Sequence, residues 1–290
     1  ELININDKNF SKNIFLKLSK KLKKLNPNLI IVDISSSSII KKYRNLKHDL
    51  NLFIKKEKFK IIILDSIGKE KVYQNSKKVI RIIPFYVNTK SEKSNFDFLV
   101  INNNFFKKYK KNKINKKIKI LITFGGHDIQ NSILALKALA KLKIKNFILK
   151  IIIGKFCSKS EVIKIKNAVK NIEFQNIKFY SDINDITNFI NWANVVICND
   201  GMTKYEVAVS GRMAIIIRQN LNNYHYGKSY EKLDIAKYID YKTKSSSKLF
   251  ARKLESILDN KNLILKVSEK AKQKFKKNNI KNYLKLIKTI

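Results

Sequence analysis

The chain has only seven glycines in 290 residues, so there are few places where backbone can approach a ligand closely. Two glycine-containing segments lie where an α/β chain places its chemistry. The first is Phe124-Gly125-Gly126-His127-Asp128-Ile129-Gln130-Asn131. An apolar run leads into Gly125 and Gly126, an acid follows at Asp128, and Asn131 stands as a helix cap. The glycines would let backbone approach a ligand. The other reading is an ordinary tight turn, with Asp128 and Asn131 acting only as caps. The second segment is Cys198-Asn199-Asp200-Gly201-Met202-Thr203-Lys204-Tyr205-Glu206. Gly201 opens the turn, and the N–H groups of Met202 and Thr203 would begin a helix whose positive end holds a diphosphate. Glu206, one turn on, would accept hydrogen bonds from ribose hydroxyls. Thr203-x-x-Glu206 is also a capping box, and the two roles are compatible.

A third candidate segment is Asn220-Leu221-Asn222-Asn223-Tyr224-His225-Tyr226-Gly227, which follows an apolar run. Asn220 and His225 are expected to line the cleft there. His127 would touch a phosphate or sugar, or lie bare on a loop. His48, in a helix-like segment, reads as a surface or core residue. Cys157 and Cys198 lack metal-ligand spacing and read as small buried side chains. No zinc pattern, Ser-centred elbow or P-loop is present, so neither metal nor cofactor is expected.

Positioning these residues requires an alternation of strands and helices. Strands are expected at 29–33, 61–65, 79–83 and 98–101, then at 118–124, 147–153, 177–180, 195–198 and 213–218. All are short apolar or β-branched runs of the kind found in sheets buried on both faces. Helices are expected at 10–25, 131–142, 158–169, 183–192 and 203–210, then near 223–233, 247–258, 261–276 and 281–288. The helix at 158 opens on a capping-box pattern, Ser158 and Glu161. Right-handed crossovers make such a sheet parallel. The Lys- and Asn-rich stretch 107–117 reads as a linker. The chain therefore divides into 1–106, the linker, and 118–290, each part α/β.

The formal charge is +40, from 62 basic and 22 acidic residues, which would suggest a nucleic-acid binder. Lys, Ile and Asn together account for 137 residues, all with A/T-rich codons, and only five of the basic residues are Arg. Nucleic-acid binders recruit Arg for bidentate contacts, and here Lys is spread along the whole chain. No nucleic-acid partner is expected, although the surplus charge attracts anionic ligands at long range. No apolar run approaches the ~18 residues of a membrane span, so no transmembrane segment is expected. Two cysteines and the absence of a leader fit a cytoplasmic protein.

The ordered pair ILITFGGHDIQN and ANVVICNDGMTKYEVAVSGRMAIII resembles the carboxyl-terminal domain of the UDP-2,4-diacetamido-2,4,6-trideoxy-β-L-altropyranose hydrolases of pseudaminic acid biosynthesis. That family is related to the lipid II N-acetylglucosaminyltransferase. Gly125, Gly126, Asp128 and Asn131 match its first motif, and Gly201, Thr203, Glu206 and Ala208 its second. The resemblance implies a GT-B fold of two Rossmann-like domains, the carboxyl-terminal one binding a UDP-sugar through the residues above. It implies a hydrolase that releases UDP from an amino-deoxy sugar for nonulosonic acid synthesis. The alternatives are a GT-B glycosyltransferase using a UDP-sugar donor, or a non-catalytic nucleotide-sugar-binding domain fused to or associated with other sugar-biosynthesis enzymes. The family opens with a Gly-x-Gly-His-x-x-Arg loop whose His is catalytic, and nothing like it precedes Leu29 here. The amino-terminal domain is therefore expected to be incomplete, and no catalytic residue is carried over.

Overall fold

The computed structural model describes residues 14–34, 59–65, 79–83, 93–94, 98–126, 128–143, 146–169, 177–218, 224–240, 247–276 and 279–289. The chain forms two compact units, Glu1–Val100 with Asn279–Ile290, and Ile101–Asn278.

In the first unit, strands β1 (Leu29–Ile34), β2 (Lys60–Asp65), β3 (Val79–Ile83) and β4 (Lys93–Ser94) pair in that order. All three pairings are parallel. Helix α1 (Ile14–Leu25) precedes them. The last helix of the chain belongs to this unit, where its Leu286 packs with Ile62. The expected strand at 98–101 does not form. The Phe98 carbonyl instead accepts from the Tyr283 hydroxyl at 2.6 Å, and Leu99 and Ile101 are buried without a ladder.

The second unit opens with a single turn, α2 (Asn104–Lys107). The stretch expected as a linker is built into this unit. Asn112 Nδ2 donates to Ser268 Oγ at 2.9 Å, and Asn194 Nδ2 donates to Asn112 Oδ1 at 2.7 Å. Six strands follow, β5 (Ile118–Thr123), β6 (Phe147–Ile152), β7 (Ile177–Tyr180), β8 (Val195–Asn199), β9 (Met213–Ile217) and β10 (Lys237–Ile239). Their order across the sheet is β10-β9-β8-β5-β6-β7, and every pairing is parallel. The central strands are apolar on both faces because helices cover both. Ile120, Leu121, Ile122 and Val195, Val196, Ile197 are all at 0% exposure.

The crossovers are α3 (Ile129–Ala140), α4 (Lys159–Asn167), α5 (Thr187–Trp192), α6 (Thr203–Val209) and α7 (Tyr224–Lys232). Helix α4 starts on the expected capping box, with Ser158 and Glu161 each bonded to the other's backbone N–H. Helices α8 (Ser247–Asp259) and α9 (Lys261–Lys274) close the unit, and α10 (Ile280–Thr289) is the helix returned to the first unit. Strand β10 was not expected from sequence. Helix α5 is shorter than expected, beginning at Thr187 rather than 183.

Candidate functional site

Taken in chain order, the six strands of the second sheet lie 3-2-1-4-5-6 across it, the order of dinucleotide-binding folds. The winding reverses between the first and fourth of these strands, β5 and β8. They are parallel neighbours, with Ile120 opposite Val195 and Ile122 opposite Ile197. Crossovers leave this point in opposite directions, and it is beyond the carboxyl ends at such a point that open α/β sheets generally take their ligands. The glycine loop 124–131 leaves β5 at this end, and the loop 199–203 leaves β8. The two sequence motifs therefore meet at the switch point.

One side chain joins them. Asn199 Nδ2 donates to the Phe124 carbonyl at 2.9 Å, and Asn199 Oδ1 accepts from the Gly201 N–H at 3.1 Å. Asn199 is buried. Sequence reasoning did not single it out, because an Asn at a strand end also reads as a turn residue.

In the first loop Gly125 has φ +75°, a left-handed conformation that favours glycine. Gly126 lies against an aromatic ring. A Cβ there would lie 2.7 Å from the Phe156 ring, and the Phe156 N–H donates to the Gly126 carbonyl at 2.9 Å. Gly154, after β6, rests directly on the Gly125–Gly126 backbone and leaves no room for a side chain. Asp128, not Asn131, is the N-cap of α3. Its Oδ1 accepts from the Asn131 N–H at 3.1 Å, and its Oδ2 from Asn131 Nδ2 at 2.8 Å. Asn131 is buried and also donates to the Arg218 carbonyl at 3.4 Å. The capping role falls to Asp128 alone, while Asn131, inside the helix, ties the loop to the end of β9.

The second loop departs from the expected capping box. Met202 is the N-cap of α6 and makes no side-chain cap bond, while Thr203 is already helical. The first amide groups of a helix have no partners within it. Met202 is exposed, and Gly201 and Thr203 are half-buried. Glu206 is half-buried, and burial pushes its carboxyl above the usual range. Beside it Cys198 is fully buried, and burial pushes its thiol up to about 12.

A buried ion pair that the motifs did not announce also lies here. Lys204 Nζ lies 2.7 Å from Asp200 Oδ1, with side-chain exposures of 3% and 0%. The i, i+4 spacing was legible, but its burial was not. Of the remaining candidates, Asn220 and His127 lie outside the described residues, as does His48. His225 is in the first turn of α7, and its side chain lies outside them too. A cavity of about 220 Å³ opens at the ends of β6 and β7, lined by Gly154, Lys155, Cys157, Tyr180 and Asp182. Among the described residues no cluster of three or more His, Cys, Asp or Glu could hold a metal. No helix among them is long and apolar enough to cross a membrane.

Residues 119–283 match the glycosyltransferase family 28 C-terminal domain. The chain is 27% identical over 257 residues to the uncharacterized protein MJ1062 of Methanocaldococcus jannaschii, covering 71% of this chain and 52% of that protein. It thus spans about half the length of this curated relative. Among solved structures it resembles MurG of Acinetobacter baumannii, with a TM-score of 0.72 and 17% identity over 95% of this chain and 77% of that one. A glycosyltransferase of Rickettsia africae gives a TM-score of 0.62 at 15% identity, covering 99% and 83%. MnaA of S. aureus, solved with UDP, gives 0.55 at 14% identity, covering 94% and 80%. These likenesses show the fold, a GT-B-like α/β architecture with parallel Rossmann-like sheets. With more than half its length matched, the chain belongs to the family defined by the glycosyltransferase family 28 C-terminal domain.

Proposed function

We propose that the chain is the donor-binding part of a GT-B glycosyltransferase, taking a UDP-sugar at the carboxyl ends of β5 and β8. The observation that carries this reading is the switch-point pair of loops, tied by Asn199 and ending in a helix start that no side chain caps. Amide groups at the start of α6, with Met202 and Thr203, would face the diphosphate and stabilise the charge that grows on it as the sugar leaves. Glu206, one turn on, would accept from the ribose hydroxyls. The family match and a neighbour solved with UDP support a uridine nucleotide as donor. The sugar would pass to an acceptor hydroxyl.

Calorimetric titration of UDP into the full chain tests the site, with melting temperatures measured alongside. UDP should bind, and Glu206→Ala should weaken it by about ten- to a hundredfold, the value of a charge-assisted hydrogen bond. A folded wild type that ignores UDP would sink the proposal. Incubating the same protein with labelled UDP-sugar, with and without acceptor, separates transfer from hydrolysis. Release of free sugar at the same rate in both would replace the transferase reading with a UDP-sugar hydrolase of the pseudaminic acid type.

A further inference from the structure

The buried ion pair Asp200–Lys204 does more than satisfy itself. Asp200 Oδ1 and its own carbonyl take the Lys204 ammonium, at 2.7 and 2.8 Å. Its second oxygen, Oδ2, accepts from the backbone N–H of Gly227 at 2.9 Å. Gly227 is the fourth residue of α7, a different helix from the one Asp200 introduces. Amide groups at the start of a helix point outward from its positive end, where a carboxylate is favoured. Asp200 therefore holds α7 from a neighbouring strand end. Gly227 suits this contact, because a Cβ there would run into the Tyr238 ring and lie 3.2 Å from Ile216 Cγ2. The lysine is fixed in turn. Its Nζ lies 4.6 Å from the Tyr205 ring centroid and 5.5 Å from that of Tyr230, and those two rings meet edge-on at 5.2 Å.

We infer that Asp200, paired with Lys204 at 2.7 Å, is a positioning residue that locks the first turn of α7 to the β8 loop and so sets one wall of the nucleotide crevice. The two elements it joins are the loop bearing Gly201, Met202 and Thr203 and the helix turn bearing His225. This inference rests on the proposed donor site. Burial opposes the charge on Asp200, and Lys204 counters it, so the two residues act as a unit. Replacing a buried pair by apolar side chains of similar size is often neutral for stability, which allows the lock to be removed without unfolding the protein.

The test compares two double variants of the full chain. Asp200→Val with Lys204→Met removes the pair and the acceptor for Gly227. Asp200→Asn with Lys204→Met removes the charges but keeps an acceptor. Exchange of the Gly227 amide is followed by NMR, UDP affinity by calorimetry and stability by thermal melting. The Val/Met variant should melt near the wild type, lose protection at Gly227 by at least tenfold and bind UDP about tenfold more weakly. The Asn/Met variant should recover both protection and affinity. Wild-type UDP affinity in the Val/Met variant would overturn the inference, as would equal loss in both variants with Gly227 still protected. If the wild type itself does not bind UDP, the donor-site reading fails. Gly227 protection then decides the lock alone, and its retention in the Val/Met variant would refute it.

Discussion

Asn199 and Phe124 stand 75 residues apart in sequence and are joined by a 2.9 Å hydrogen bond from the amide to the carbonyl. This bond, with the one Asn199 accepts from Gly201, joins the β5 and β8 loops directly. Asn199→Ala leaves a buried carbonyl and an N–H without their partners. It should lower stability by about 1–3 kcal/mol. UDP affinity should fall with it, and more than in a substitution of equal stability cost at the far end of the sheet. Denaturant melts paired with titrations check this.

Gly154 and Gly126 should respond differently to alanine. A Cβ on Gly154 falls 2.6 Å from the Gly125 carbonyl oxygen, where only backbone can yield. A Cβ on Gly126 meets the Phe156 ring, which is 75% exposed and free to swing away. Gly154→Ala should cost about 1–3 kcal/mol, the usual range for overpacking, and Gly126→Ala clearly less. Equal costs in thermal melts would contradict this account of the two loops.

Burial raises the Glu206 carboxyl above its ordinary value of 4.5. The folded state thus holds a proton more tightly than the unfolded state, and stability falls as pH rises through that window. Glu206→Gln removes the penalty. The variant should melt higher than the wild type at pH 7, and the advantage should vanish as pH drops below the unfolded value. UDP binding runs the other way, since ribose hydroxyls need the carboxylate, and wild-type affinity should rise as pH climbs through the folded value. Melting curves and titrations from pH 4 to 8 show both trends.

The two thiols should differ in reactivity. Cys198 is fully buried with its thiol pushed up to about 12, so almost no thiolate exists at pH 8. Cys157 is half-buried, with a smaller rise. An alkylating reagent at pH 8 should modify Cys157 slowly and Cys198 only after denaturation, as read by peptide mass spectrometry.

The alternation of apolar runs and amphipathic helices made the parallel sheet of the second unit legible, and the glycine loops marked its switch point. What escaped depended on neighbours. Strand β10 is three residues, Lys237–Ile239, and is a strand because β9 pairs with it. Residues 98–101 have strand composition, but the Phe98 carbonyl is engaged by Tyr283, 185 positions away. Thr203 and Glu206 have capping-box spacing, yet the helix begins one residue too early for Thr203 to cap it. Asp200 and Lys204 stand four residues apart, and their burial beside Tyr205, Tyr230 and the start of α7 is announced by no local pattern.

The return of α10 to the first unit bears on the order in which the protein assembles as it is made. Ile62 leaves the ribosome before the second unit, while Leu286 and Tyr283, which pack against the same strands, are translated after the whole of it. The second unit has all its strands in one stretch and can fold as it emerges. The first unit must keep part of its apolar surface waiting until its final helix arrives. During synthesis the first unit, though begun before the second, is thus completed after it.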